Sequence, residues 1–358
     1  MWFVIGFCIW IAIIWLIAVK LFPHTVTWKE GALMLGIQSI LMVCVYYGSL
    51  YGKGHDVQIL NGQVTNKYSE RVSCEHSYKC RCYQSCSGSG KNRSCTEVCS
   101  TCYDHSYDMD WIVKSDIGST EISRVNRQGT KEPPRWTAVY VGEPFSKESS
   151  YYNYIKASPF SIFNRNDVEN KVEVPVYPSV KDYYKIERVI DFNSEYVHDG
   201  KFNAILNEKM KTLGPTKKVN LVVVLHSLDK GFEEAYKNKS LGGKINDVTV
   251  LLKVDKEGNI NSVNVYSWSK DDILNIKIRD SILDVGKFDD QKVADAITDN
   301  IASTYEGRDI KEFEYLDSEV ELPDWAVYFL LIFGTLFPFV SALVAQRVDI
   351  FGEERRKW

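Results

Sequence analysis

Apolar positions along this chain form two patterns: unbroken runs at the two ends and short periodic segments between them. No charge interrupts the run from Trp2 to Val19; a second covers Ala32 to Leu50 and a third Trp325 to Ala345. Each approaches the ~20 residues that a helix needs to cross a bilayer core. Three transmembrane helices are therefore expected: a two-helix hairpin within residues 1–52 and a third helix at 325–346, reached through a linker at 311–324. A cleaved signal peptide is the weaker reading of the first run, because no basic residue precedes it and no small-x-small pair follows it.

Charge orients the spans. Lys20 and Lys29 lie in the first loop, and Arg347, Arg355, Arg356 and Lys357 in the tail at 347–358, which assigns both segments to the cytoplasmic side. Lys53 alone stands against that assignment. The amino terminus and the large middle region are then extracytoplasmic, periplasmic in a bacterium, and the carboxyl terminus is cytoplasmic. Trp2, Tyr46, Tyr47, Tyr51, Trp325 and Tyr328 lie near span ends, where amphipathic rings favour the interface. Pro338 inside the third run is either a kink or a tolerated membrane proline.

Between the spans, the segment at 53–108 has little apolar content but holds Cys74, Cys80, Cys82, Cys86, Cys95, Cys99 and Cys102. Such spacing suits either disulfides or zinc. The extracytoplasmic assignment favours disulfides; zinc, with His76 and His105 as further ligands, is expected only if the segment is cytosolic. Ser87 to Asn92 reads as a turn between two cysteine clusters. The odd count leaves one thiol over or one bridge to a second chain, so a homo-oligomer is among the expected partners. Cys8 and Cys44 lie within spans and read as small apolar residues.

From Met109 to Phe192, residues such as Trp111 and Val113, or Val139 and Val141, alternate between prolines, and a β-rich domain at 109–194 is expected. After Gly200 the period changes. Phe202, Ile205, Leu206, Met210 and Leu213 recur at helical spacing up to Gly214 and Pro215, read as the helix end. Val219 to Leu225 is a strand covered on both faces. Phe232 to Tyr236 suggests a short helix, Val248 to Val254 a second buried strand, Ile260 to Val265 a half-exposed third, and Val293, Ile297 and Ile301 a final helix. These elements make an α/β sandwich at 195–310.

The order of helix, strand Val219 to Leu225, Ser227-Leu228-Asp229, the stretch Gly242 to Leu252 and a terminal amphipathic helix resembles the TPM domain family over residues 195–308. That resemblance implies a Rossmann-like fold beside a membrane anchor. It also implies a function among those of the family's members, which include an acid phosphatase, a photosystem repair factor and a receptor modulator. The motif positions here are Gly243, Lys244, Asn246 and Asp247, and Ile245 stands where the family often has its first carboxylate. The acidic stretch after the third strand is replaced by Tyr266 to Asp272. Asp229 and Asp247, with Asp271 and Asp272, remain as oxygen ligands for a divalent metal, against a reading as turn and capping aspartates. The outer region is also similar to uncharacterised membrane proteins of large tailed bacteriophages.

Other chemistry is thinly represented. A net charge of −4 over 358 residues leaves no basic footprint for nucleic acid. No P-loop, G-x-S-x-G, H-E-x-x-H or dinucleotide glycine pattern occurs. His226 and Ser227 are adjacent, but neighbours on an extended chain point to opposite faces. The tyrosine pairs Tyr151-Tyr152 and Tyr183-Tyr184 read as half-buried sheet residues or an interaction surface. Sequons at Asn92 and Asn238 matter only in a eukaryotic secretory pathway. The expected function is a membrane-anchored binding or modulating protein acting on another membrane or envelope protein, with the bilayer as its other partner and no cofactor. The alternatives are a divalent-metal-dependent phosphatase and a structural or assembly protein.

Overall fold

The computed structural model describes residues 2–21, 28–88, 94–125, 129–161 and 172–345. The turn expected before Asn92, that sequon and the basic tail from Arg347 lie outside these, as does the Cys8 side chain. In chain order the helices are α1 (Trp2–Leu21), α2 (Trp28–Gly54), α3 (Lys201–Lys217), α4 (Lys230–Lys239), α5 (Ile273–Val285), α6 (Asp290–Thr304) and α7 (Asp324–Ala345). Single helical turns stand at Pro134–Thr137 and Tyr154–Ala157, and a 3-10 helix at Ile310–Glu319. The first six strands are β1 (His55–Val72), β2 (Ser77–Ser87), β3 (Ser94–Tyr103), β4 (Asp108–Ser115), β5 (Gly118–Ile122) and β6 (Pro144–Tyr152). The remainder are β7 (Val180–Lys181), β8 (Lys185–Ile186), β9 (Val189–Asp191), β10 (Asn220–His226), β11 (Asp247–Val254) and β12 (Ile260–Ser267).

The chain divides into two units, the first made of residues 1–56, 151–166 and 310–358. In it, Lys29–Gly54 and Asp324–Val344 are long and apolar enough to cross a membrane. Helix α1 has 20 residues, and its described apolar stretch is Ile9–Ala18. Ile11, Trp15, Met34, Met42 and Leu330 form a shared cluster. Gln38 sits inside that apolar contact, accepting from Trp15 Nε1 at 2.6 Å and donating to the Gly334 carbonyl at 3.2 Å. A buried amide answered on both sides ties helices together where water cannot compete. Gly334 permits the approach, because a Cβ there would fall 2.8 Å from the Trp10 ring. Helix α7 continues through Pro338.

The second unit, residues 57–150 and 167–309, contains two four-stranded sheets. The first has the order β5-β4-β1-β6, with β4 antiparallel to both β1 and β5. Val64, Val113, Ile122, Val139, Phe145 and Tyr184 form its core. Strands β1 and β4 are neighbours, so the cysteine-rich stretch is an insertion between two strands of this sheet. The expected boundary at residue 108 thus falls at the first residue of β4.

The second sheet has the order β12-β11-β10-β9; β9, β10 and β11 run parallel and β12 is antiparallel to β11. Every residue of β10 is buried, as its unbroken β-branched run requires. Leu221, Val223 and Leu225 meet α3, α5 and α6, while Val222 and Val224 meet Phe232 and Tyr236 of α4. Two expectations need correction. Helix α3 runs through Gly214 and Pro215 to Lys217; Gly214 is a contact point, since a Cβ there would lie 2.8 Å from the Asn61 carbonyl oxygen. The sheet also begins before residue 195, because β9 belongs to it.

Candidate functional site

Strands β2 and β3 pair antiparallel as a hairpin with almost no buried surface. Two strands without a core are marginal in water, and covalent bonds supply what packing does not. Cys80 bonds Cys102, Cys82 bonds Cys99 and Cys86 bonds Cys95, in nested order. A single bridge closing a loop of some 15 residues is worth about 3 kcal/mol through the entropy of the unfolded chain, and each further nested bridge, closing a shorter remaining loop, adds less. The ladder slips between Cys80 and Tyr83, where Arg81 takes a left-handed conformation (φ 47°), a bulge that turns the strand locally. The stapled ribbon exposes aromatic and apolar groups: Tyr83 is 62% exposed and its cross-strand partner Val98 40%. Tyr78 and Tyr103 are also exposed.

Six of the seven candidate cysteines are thus paired. The seventh, Cys74, is buried and free, close to His105.

The carboxylates considered for a metal do not meet. Asp247 opens β11 and pairs in register with Asn220, the first residue of β10. Asp229 follows the last residue of β10 and precedes α4, so the strand, rising about 3.3 Å per residue, sets the two aspartates roughly 20 Å apart. Asp229 is exposed, with Lys253 Nζ at 3.4 Å. Asp271 accepts from the Ile273 amide at 2.9 Å, and Asp272 occupies the N-cap of α5. Asp271 thus caps the first turn with its side chain, whereas the Asp272 side chain makes no capping hydrogen bond.

Asp247 is instead the centre of a buried polar joint. Its oxygens accept from Tyr177 Oη at 2.8 and 2.9 Å, Asn220 Nδ2 at 2.9 Å and the Lys244 amide at 3.0 Å. Burial pushes its pKa up, against the lowering effect of these donors. Beyond Asn220 lies Arg188, 1% exposed. It donates to Asn207, Asn220, the Leu221 carbonyl and Asn61 at 2.8 to 3.2 Å, and burial brings its pKa down to about 10. Asn61 of β1 also accepts from Ser146, while Asn246 donates to the Ile59 carbonyl at 2.7 Å. Gly243 takes φ +89° and accepts from Trp268 Nε1 at 3.2 Å. Asn246 directly, and Asp247 through Asn220 and Asn61, thus tie β1 to the second sheet, with both oxygens of Asp247 engaged. Tyr177, Asn61 and Arg188 were not signalled by the sequence, because partners so far apart in the chain show no local spacing.

At the opposite strand end, His226 is fully buried and, among the described residues, neither ring nitrogen meets a well-aligned hydrogen-bond partner; Glu233 Oε1 stands 3.6 Å from Nε2. Burial pushes its pKa down. Ser227 donates to the Val254 carbonyl at 2.9 Å and accepts from the Glu195 amide at 2.8 Å, so its hydroxyl is a strand tie. A cleft of about 510 Å³ lies beside Tyr184, Lys185, Asn203 and Asn207, where Tyr184 donates to Glu143.

No family model, curated protein or solved structure matches this chain.

Proposed function

We propose that the protein is a membrane-anchored binding or modulating protein whose stapled hairpin contacts a protein partner in the same membrane or envelope. The observation that carries this reading is the hairpin itself. A ribbon with three bridges, no core of its own and exposed Tyr78, Tyr83, Val98 and Tyr103 has the composition of a rigid contact surface. In this reading α1, α2 and α7 span the bilayer, with the amino terminus and middle region outside and the carboxyl terminus inside. The disulfides support an oxidising location for the middle region, and the two long apolar helices support the anchor. The sheet of three parallel strands with helices on both faces supports a TPM-like α/β domain. A phosphatase built on Asp229 and Asp247 loses its basis, because the two are at opposite strand ends.

A photo-crosslinking residue at Tyr83, with one at exposed Glu257 as control, tests this in cells making the protein at native level. A single heterologous adduct at position 83, absent at 257 and lost when Cys82 and Cys99 become Ser, is expected. Adducts only between copies of this chain would favour the structural or assembly alternative, and the absence of any hairpin-dependent adduct would end the proposal.

A further inference from the structure

At the foot of the hairpin, Cys74 lies just before β2, and His105 and Asp108 follow β3. Cys74 Sγ is 3.7 Å from His105 Nδ1, and Asp108 Oδ1 is 3.2 Å from the same nitrogen; all three donor atoms lie within 4.8 Å of one another. Cys74 and Asp108 are buried, and His105 is partly exposed.

Hydrogen bonds account for this cluster only in part: the Cys74 thiol lies 3.7 Å from the His76 carbonyl as well as 3.7 Å from His105 Nδ1. An imidazole nitrogen carries either a proton or a lone pair, so Nδ1 satisfies at most one of its two neighbours. Asp108 Oδ1, on a side chain with no exposure, accepts no hydrogen bond among the described residues. The other oxygen, Oδ2, accepts from the Glu75 amide at 3.2 Å and from Arg124 at 3.0 Å. Arg124 also pairs with Asp110 and stands 3.5 Å from Glu75. Its charge is thus matched locally, and the Asp108 carboxylate is oriented from behind with one oxygen left over, as in the supporting shell of a metal ligand. A Cβ at Gly129 would fall 1.8 Å from Oδ1 and 3.2 Å from His105 Nδ1, so only glycine fits beside these two atoms.

We propose that Cys74 Sγ, His105 Nδ1 and Asp108 Oδ1 bind a zinc ion, with water in the fourth position. Zinc bonds of about 2.3 Å to sulfur and about 2.0–2.1 Å to nitrogen and oxygen, at tetrahedral angles, set sulfur and nitrogen about 3.6 Å apart and nitrogen and oxygen about 3.3 Å apart. The distances here are 3.7 and 3.2 Å. One sulfur, one nitrogen and one carboxylate suit zinc better than the hard cations, which take oxygen alone. A thiolate and a carboxylate also balance its charge. The site continues the nesting of the bridges: 86 with 95, 82 with 99, 80 with 102, then 74 with 105 and 108. Zinc and disulfides are therefore not alternatives for this segment: six thiols pair, and the seventh is a metal ligand.

The test uses the full-length chain in detergent, stripped with chelator without reductant and then titrated with cobalt(II) or zinc(II). One cobalt per chain with a thiolate-to-metal charge-transfer band is expected. Zinc should displace it and protect Cys74 from alkylation in the native protein. Cys74→Ser should abolish the band, and Asp108→Asn should weaken zinc binding by a factor on the order of ten or more, both with the three disulfides intact by mass. Alkylation protection in the unsubstituted chain answers the question even if a variant fails to fold. The proposal is overturned by a band that survives Cys74→Ser, by Cys74 alkylation indifferent to zinc, or by a Cys74 bridge to a second chain.

Discussion

Asn220 donates its side-chain nitrogen to Asp247 at 2.9 Å while its oxygen accepts from Arg188 at 3.2 Å. One neutral amide thereby relays between a buried carboxylate and a buried guanidinium at the paired first residues of β10 and β11. Charges taken out of water are held only where every remaining donor and acceptor is answered, and this joint answers them with Tyr177, Asn61, Asn207 and the Lys244 amide.

Asp247→Ala should therefore act on stability. It removes the acceptor for three donors and leaves Arg188 without its nearest buried carboxylate, at a cost of about 3–5 kcal/mol. Asp247→Asn keeps the shape and one acceptor and should cost roughly 1–3 kcal/mol. Exposed Asp229→Ala should change stability by less than about 0.5 kcal/mol. Urea unfolding followed by tryptophan fluorescence orders the three. Equal effects at positions 229 and 247 would show that the joint does not hold the sheet.

His226 predicts an acid-sensitive domain. Burial disfavours the imidazolium, as does Lys253, and nearby Glu233 offsets this only in part, so the folded pKa lies below the ordinary value near 6.5. The unfolded chain then binds more protons between the folded pKa and about 6.5, and stability rises with pH across that window. The contribution is fully present above about 6.5 and is lost as pH falls through the folded pKa. His226→Leu should flatten this part of the pH dependence of the urea midpoint; an unchanged slope would show that another group is responsible.

The parts of this molecule legible in the sequence are those with a local signature. Continuous Val219 to Leu225 announced a strand buried on both faces, and Val293, Ile297 and Ile301 announced α6. Helix α5 carries an equally regular Leu274, Ile278 and Ile282, all buried, a period as plain as that of α6. Gly214 and Pro215 misled because a glycine that ends a helix and one that admits a neighbouring backbone look alike in one dimension. The cysteines divided in a way composition could not show: whether seven thiols share one fate depends on cross-strand register, and register left Cys74 outside the ladder.

Reducing the disulfides should unfold the hairpin and spare the sheets. Its residues are exposed almost throughout, so within the ribbon itself, above its foot, only the bridges and one two-stranded ladder oppose its conformational entropy. Limited proteolysis after reduction should cut within residues 77–103, while amide exchange in β10 and β11, which lie in a separate core, stays slow. Loss of protection in β10 at the same reductant concentration would show that the hairpin and the α/β core unfold together.

Gly214→Ala is the substitution for which general propensity and this structure give opposite signs. In a helix interior alanine is favoured over glycine by about 1 kcal/mol, and Gly214 lies inside α3 without a left-handed backbone. Its missing Cβ, however, would stand 2.5 Å from Asn61 Cβ, 2.8 Å from the Asn61 carbonyl oxygen and 3.0 Å from its carbon. Two of those three atoms are backbone of β1 and cannot rotate aside. Relief would have to displace Asn61, whose side chain accepts from Arg188 and Ser146 and donates to the Val219 carbonyl. The overpacking cost of about 1–3 kcal/mol should outweigh the propensity gain, so Gly214→Ala should destabilise the domain. An exposed helix position such as Asp299→Ala on α6 serves as the control for propensity alone. A Gly214→Ala chain as stable as the parent or more so would show that β1 does not lie against α3 at Asn61.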